Sequence, residues 1–149
     1  MAITQAMATS FKVEILDGIH NFGVGVIRAS TAADTFKIAL YTSAATLSAA
    51  TTAYTTSNEV VGTGYTAGGN TLTVSVVPTS SGTTAYLSFS NTSWSTATIT
   101  ARGALIYNST QSNAAVAILD FGSDKTSTDG DFTIIFPTAT NTTAIIRIA

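Results

Sequence analysis

The 149-residue chain has no cysteine and little charge: only 9 % of its residues are Asp, Glu, Lys or Arg, against about a quarter in an ordinary soluble protein. The lack of cysteine excludes disulfides, thiolate catalysis and sulfur-ligated zinc. The six basic residues are scattered and the net charge is −2, whereas non-specific binding of nucleic acid needs clustered Lys and Arg. We therefore expect no nucleic-acid partner.

Long hydrophobic runs are also missing, because Ser, Thr and Gly interrupt the uncharged stretches. No segment is therefore predicted to span a membrane. The opening MAITQAMATSF has neither a basic n-region nor an unbroken apolar core, so it is not predicted to be a secretory signal. We expect a protein that is made in the cytoplasm and has no membrane partner.

The sequence is rich in Thr and Ser, about three residues in ten, and in short segments where apolar residues alternate with others. An alternation with period 2 is typical of strands, and TFKIALYT, TLTVSVV and DFTIIFP show it. Stretches such as PTSSG, GSDKTSTDG and PTATN are predicted to be turns between strands. The apolar residues predicted to be buried are Phe36, Ile38, Leu40, Leu72, Val74, Ile118, Phe132, Ile134, Phe136 and Ile146.

The fold class predicted from this pattern is mainly β, an antiparallel β-sandwich or jelly roll with one short N-terminal helix. The helix is expected over Thr9–Ile19, where apolar residues recur at helical spacing and Gly18 ends the element. We expect a single domain over residues 1–149, with an N-terminal arm and helix at about residues 1–20. The Thr-rich segment 42–58 is expected to be a long loop that a neighbouring subunit covers.

The stretch GTGYTAGG contains Gly62, Gly64 and Ala67 at the spacing G-x-G-x-x-G/A, which is typical of dinucleotide-binding turns. That fingerprint needs a helix directly after it, but the following residues, NTLTVSVV, alternate as in a strand. No acidic residue follows at the distance expected for binding the ribose. We therefore interpret the glycines as serving a turn or bulge, and we expect no cofactor.

Three further features bear on chemistry. His20, the single histidine, is not accompanied by the G-x-S-x-G elbow of a serine hydrolase and is interpreted as a helix-end residue. Asp124, Asp129 and Asp131 supply the oxygen ligands that Ca²⁺ prefers. Because they lack the spacing of an EF-hand loop, a solvated turn is the favoured interpretation. Trp94 is either a buried core residue, the favoured interpretation, or part of an exposed sugar-stacking platform. No catalytic, cofactor-binding or metal-binding residue is assigned, and no enzyme is expected.

Several stretches together resemble small virion proteins of tailed bacteriophages: MAITQAM, TSFKVEILDGIHNF, DTFKIALYTS, TTAYTTSNEVVGTGYTAGG, TARGALIYN and AVAILDFGSDK. The resemblance covers residues 1 to about 131. It implies a virion structural protein, specifically a head decoration (cement) protein that binds and stabilises the outer capsid surface. The partners it implies are the major capsid protein and copies of the chain itself. The alternative is a tail or fibre component, or a receptor- or carbohydrate-binding β-sandwich module.

Overall fold

The chain folds mainly into antiparallel β-strands, as a computed structural model of it shows for residues 8–18, 22 and 32–149. In chain order the elements are α1 (Thr9–Leu16), β1 (Phe36–Tyr41), β2 (Asn70–Leu72), β3 (Val74–Ser81), β4 (Thr84–Phe89), β5 (Thr92–Asn108), β6 (Ala114–Ile134) and β7 (Ile146–Ile148). The strands form a four-stranded sheet in the order β2-β1-β5-β6 and a three-stranded sheet in the order β3-β4-β7. The predicted fold class, mainly β with antiparallel sheets, is confirmed. The predicted arm MAITQAM lies outside the described residues.

Each sheet belongs to its own compact unit. The four-stranded unit comprises Ala32–Thr73 and Asn91–Ile135, and contains β1, β2, β5 and β6. The three-stranded unit contains α1, β3, β4 and β7, and its later segments are Val74–Ser90 and Phe136–Ala149. The single domain predicted over residues 1–149 remains a prediction.

In the four-stranded unit, residues 38–41 of β1 and 104–107 of β5 are buried on both faces of the sheet, whereas the first half of β5 alternates between buried and exposed residues. In β1 the predicted inward residues Ile38 and Leu40 are buried, and so are Ala39 and Tyr41, which the alternation assigned to the opposite face. The opposite face is covered because segment 42–58 folds back over it: Leu47 and Tyr54 pack against the cluster formed by Ala39, Tyr41, Leu105 and Tyr107. Strict alternation therefore underestimates burial in this sheet, since it assumes one wet face.

Backbone hydrogen bonds tie segment 42–58 to its own unit. At its start the amide of Thr42 donates to the carbonyl of Asn58 over 3.0 Å, and near its middle the amide of Tyr54 donates to Asn113 over 2.9 Å. The amide of Ala115 in β6 donates to Thr52 over 3.0 Å. Leu47 and Tyr54 of this segment are partly buried within the unit, and cover by a neighbouring subunit remains a prediction.

The predicted core is largely confirmed, with one error. The residues found buried are Ile38, Leu40, Leu72, Phe132, Ile134 and Phe136, while Phe36, Ile118 and Ile146 are half-buried. Val74 is 38 % exposed, so its prediction as a core residue is wrong. The reason is local: Val74 begins β3, a strand at the edge of the three-stranded sheet, and the register with β4 shifts directly after it. Such a shift breaks the alternation on which the prediction depended.

The segment GSDKTSTDG is part of strand β6 and not the turn that its composition predicted. It pairs with β5, where Thr126 lies opposite Thr100 and Lys125 lies opposite Ala101. Gly122 and Asp129 have φ angles of +75° and +47°, values typical of bulges and turns. The Asp-Gly pair therefore lies at an irregularity within a long strand, where sequence reasoning expected a hairpin turn.

Helix α1 spans Thr9–Leu16 and is shorter than the range predicted, with Gly18 just beyond its end at a φ of +70°. Its N-cap, Ala8, offers no side-chain hydrogen bond, and eight residues are too few for a helix to be stable alone in water. The helix contacts β3 and β4. Lys12 is 6 % exposed and its ammonium donates to the carbonyl of Thr83 over 2.6 Å. These tertiary contacts hold the helix in place.

Candidate functional site

The carboxylate of Glu59 in the four-stranded unit is buried, with 7 % of the residue exposed. It accepts three hydrogen bonds: from the hydroxyl of Tyr54 over 2.7 Å, from the hydroxyl of Tyr65 over 2.6 Å and from the amide of Gly68 over 2.7 Å. The hydroxyl of Tyr107 donates to the carbonyl of Gly68 over 2.8 Å. We refer to Glu59, Tyr54, Tyr65, Gly68 and Tyr107 as the Glu59 cluster.

The positions of the cluster follow from the local fold. Glu59 is fixed beside β1, because it forms an isolated antiparallel bridge with Tyr41 and the next residue, Val60, donates its amide to Leu40 over 2.9 Å. Tyr65 is held from the other side, since its hydroxyl accepts the amide of Leu40 over 2.9 Å. The ring of Tyr54 stacks on that of Tyr107 with centroids 4.7 Å apart. The cluster thereby joins segment 42–69 to the sheet.

The glycines of GTGYTAGG let this segment lie directly on the sheet. At Gly62 a Cβ would meet the carbonyl oxygen of Thr98, and at Gly69, where φ is +65°, it would meet the carbonyl oxygen of Ile38. Thr63 forms a backbone bridge with Thr98 in β5. The element that follows is the short strand β2 and not a helix. The segment turns onto the sheet and leads into a strand, as interpreted from the sequence, and the close approach explains why glycine is needed.

Burial sets the ionisation of the tyrosines around Glu59. It raises the pKa of Tyr41 from 10.0 to about 12. The pKa values of Tyr54 and Tyr65 are also raised, first by burial and then by the hydrogen bonds that their hydroxyls donate to Glu59. Burial, followed by the charge of Glu59, raises the pKa of Tyr107. The hydroxyls therefore remain protonated donors at neutral pH, and the cluster ties a loop to a sheet through groups whose hydrogen bonds are satisfied.

Asp124, Asp129 and Asp131 were considered as a cation site. In the structure they either accept hydrogen bonds from a neighbouring strand or are exposed to solvent. The carboxylate of Asp129 accepts from the hydroxyl of Thr98 over 3.2 Å, and that of Asp131 accepts from the amide of Thr96 over 3.4 Å. Asp124 is exposed. In the described part of the chain no group of three or more His, Cys, Asp or Glu residues is placed to hold a metal ion. His20 lies outside the described residues.

Trp94 is buried, with 4 % of its surface exposed. Its ring packs beside Tyr65 and edge-on to Phe132, with centroid distances of 5.8 and 6.2 Å. Its Nε1 is buried and has no hydrogen-bond partner among the described residues. Among the described aromatic side chains, Phe22 is the only exposed one. The interpretation of Trp94 as a core residue is confirmed.

Two shallow depressions lie on the four-stranded unit. The first, of about 310 Å³, has Tyr41, Leu47 and Ile118 in its lining, together with Arg102 and Asp120. The Nε of Arg102 lies 3.3 Å from the Asp120 carboxylate, and both side chains are substantially exposed. The amide of Gly122 and then Arg102 lower the pKa of Asp120. The second depression, of about 300 Å³, is lined by uncharged residues: Thr42, Val61, Thr98, Ile99, Thr100, Thr126 and Ser127.

Comparison with known proteins adds no assignment to this geometry. No protein family, no curated protein and no solved structure matches the chain. None of the helices in the described residues has the length and apolar character needed to cross a membrane.

Sequence reasoning missed the Glu59 cluster, although one signal pointed to it. Glu59 is the only charged residue between Lys37 and Arg102, and a single charge in so long an uncharged stretch is a candidate for a buried, hydrogen-bonded role. Tyr54 and Tyr65, five and six residues away, are the donors. Their convergence on one carboxylate depends on the path of the loop over the sheet, which the sequence pattern does not specify.

Proposed function

We propose that this chain is a structural protein of a tailed-phage virion, specifically a head decoration protein that binds the outer surface of the capsid and stabilises it. The proposal takes its phage assignment from the resemblance of the stretches quoted above. It takes its mode of action, binding through a surface, from the structure's distribution of aromatic and charged side chains. The partners it names are the major capsid protein and further copies of the chain.

The observation that carries the proposal over a sugar-binding module is that, apart from Phe22, the described aromatic side chains are buried or half-buried. A sugar-stacking platform needs exposed aromatic faces, but Trp94 and Tyr107 are 4 % and 3 % exposed, and Tyr54 and Tyr65 are engaged with Glu59. The large apolar side chains that do reach solvent are mostly aliphatic, including Val61, Val77, Val116 and Ile135. Scattered aliphatic groups on a weakly charged surface suit contact with another protein.

Stabilisation of a capsid needs no chemistry from this chain. A protein that binds the mature lattice and not its dissociated or expanded states stabilises the lattice by mass action, by about 2.7 kcal/mol per site when its free concentration is a hundred times Kd. Many copies on one shell would multiply that effect. A tail or fibre location is the alternative within the same class.

The test is co-sedimentation of the purified chain with phage heads that lack it, prepared from the phage that encodes it. We expect saturable binding to heads, no binding to tails or to free capsid subunits, and heads that retain DNA at a higher temperature when the chain is bound. A parallel sample lacking residues 1–8 measures whether the N-terminal arm contributes to attachment. Binding to tails alone would support the alternative location, and the absence of binding to both would refute a virion role.

A further inference from the structure

The side chain of Val61 is unusually exposed for a residue on an ordered segment. It is 94 % exposed, the highest value among the large hydrophobic residues that the structure describes, whereas the preceding residue, Val60, is 3 % exposed. An isolated exposed valine needs no explanation. Val61 differs because it lies at the rim of the uncharged depression of about 300 Å³.

The backbone on both sides of Val61 is fixed. Before it, the amide of Val60 donates to Leu40 over 2.9 Å, and after it, the amide of Thr98 donates to Thr63 over 3.0 Å. Gly62 lies so close to β5 that a Cβ would meet the carbonyl oxygen of Thr98. The backbone at Val61 is therefore already ordered, and binding at this position costs the segment little conformational entropy.

The hydroxyl groups of the residues that line the depression already bond within the chain. Thr100 and Thr126 bond each other over 2.9 Å, Ser127 donates to the carbonyl of Ala97 over 2.8 Å, and Thr42 donates to Asn58 over 3.2 Å. Thr98 accepts the amide of Asp129 over 3.0 Å and donates to its carboxylate. Covering this surface therefore leaves no hydroxyl newly unpaired, and the desolvation cost is small.

We propose that Val61 and this depression form a self-association surface on which two copies of the chain pair about a two-fold axis. The projecting side chain and the depression lie on the same patch. A two-fold axis through the patch then puts Val61 of each copy into the depression of the other, which is the self-complementarity that an isologous dimer requires. A depression of about 300 Å³ has room for the three carbon atoms of a valine side chain.

The lining residues present no like-charge barrier to a second copy as the occupant. Two identical surfaces bring together identical charges, and like charges held together in an interface oppose association. The lining residues are uncharged, and Lys125, next to Thr126 in the sequence, is opposite in sign to Asp129. Asp129, bonded to Thr98, is the charged residue that touches the lining through the contacts described above. We therefore expect an association that persists in high salt, because screening acts on exposed charges.

The inference does not rest on the proposed function, because self-association needs no capsid. Its test is sedimentation velocity of the full chain across a concentration series, at low and at high salt. We expect a monomer–dimer equilibrium with a dissociation constant that salt changes less than about threefold. Val61→Asp should raise the dissociation constant at least tenfold, because it places a carboxylate in an uncharged pocket. Val77→Asp is the matched control: Val77 is 69 % exposed but belongs to the three-stranded unit, so dimerisation should persist.

A charge-complementation experiment tests the docking geometry itself. Val61→Asp and Thr126→Lys are each expected to be monomeric, while an equimolar mixture of the two variants should form a heterodimer, in which the aspartate of one copy meets the lysine of the other. Circular dichroism and Trp94 fluorescence confirm that each variant is folded. A monomeric parent at all accessible concentrations, a Val61→Asp variant that still dimerises, or a mixture that fails to associate would overturn the inference. Binding to phage heads is a separate measurement and is unaffected by these outcomes.

Discussion

Removing the Glu59 carboxylate is expected to destabilise the four-stranded unit strongly. Glu59→Ala leaves three donors without their acceptor: the hydroxyls of Tyr54 and Tyr65 and the amide of Gly68. A buried donor without a partner costs about 1–3 kcal/mol. The amide of Gly68 is fixed in a buried backbone, whereas half-buried hydroxyls can turn partly to water. We therefore expect a total loss of about 3–5 kcal/mol in the free energy of unfolding.

Single hydroxyl removals should give a graded series. Tyr65→Phe removes one donor from Glu59 and also the acceptor of the buried amide of Leu40, so we expect a cost of about 2–3 kcal/mol. Tyr54→Phe removes only one donor from a half-buried ring and should cost about 1 kcal/mol. Glu59→Gln keeps one acceptor oxygen and should fall between Tyr54→Phe and Glu59→Ala.

Urea unfolding followed by Trp94 fluorescence measures these changes, because Trp94 is the single tryptophan and belongs to the same unit as Glu59. The decisive result is the order of the series, which depends on the contacts more than on any single magnitude. If Tyr54→Phe cost as much as Tyr65→Phe, the bond from Leu40 to Tyr65 would not be contributing. If Glu59→Ala cost less than about 0.5 kcal/mol, the range of ordinary surface changes, the buried cluster would be refuted.

The remaining predictions concern pH, backbone strain and the core. Burial raises the pKa of Tyr41 from 10.0 to about 12, so the stabilising contribution of this residue is complete below pH 10 and is lost as the pH rises from 10 towards 12. Ultraviolet absorbance should show tyrosine ionisation coinciding with unfolding. Tyrosines that all titrate near pH 10 in a folded chain would contradict this. Gly69→Ala should destabilise the chain by more than 2 kcal/mol, about the upper cost of a left-handed residue, because the added Cβ also meets the carbonyl of Ile38. Gly122→Ala is the control: with φ +75° and open space around it, the substitution should cost only about 1–2 kcal/mol. Equal costs would argue against the close approach at Gly69. Ile134→Ala should cost about 2–5 kcal/mol in urea unfolding, and a value below about 0.5 kcal/mol would place that side chain on the surface.

The strands could be predicted from the sequence where the alternation of apolar and other residues was the deciding signal. The alternation in β1 correctly placed Ile38 and Leu40 in the core, because apolar residues at period 2 have one favourable orientation on a sheet. The same rule left Ala39 and Tyr41 outside the core, because it does not foresee that segment 42–58 returns to cover the second face. Burial of that kind depends on contacts distant in sequence, which local periodicity does not encode.

Turn chemistry was the less reliable signal. The glycines of GTGYTAGG were correctly interpreted as a chain turn, because the strand-like residues after them excluded the helix that a nucleotide site needs. The prediction of a turn at GSDKTSTDG was wrong. An Asp-Gly pair fits a bulge as well as a hairpin turn, and pairing with β5 makes this stretch part of a strand. Propensity for a positive φ thus locates an irregularity in the backbone without specifying whether the chain reverses there.

The edges of the two sheets bear on how copies of the chain can meet. A long, flat and uncharged edge strand invites strand addition without closure. In the four-stranded sheet, β2 has three residues, and β6 carries Asp120, Asp124 and Lys125 along its exposed middle. In the three-stranded sheet, β7 has three residues, and β3 contains Pro78 and two register shifts. Each edge strand of the two described sheets therefore has a feature that hinders pairing with another strand.

Blocked edges direct association to other surfaces, and this changes the kind of assembly that the chain can form. Strand addition at an edge is open-ended, since each added copy presents a new edge, whereas a two-fold contact closes after two copies. The patch around Val61 is rigid and uncharged, and its hydroxyls are already bonded. The two-fold contact proposed there would close after two copies and would not template a fibre. The proposed virion role would place many copies on one shell, where the local concentration is high and the low charge of the chain gives little repulsion between neighbours, so a contact that closes would be needed there.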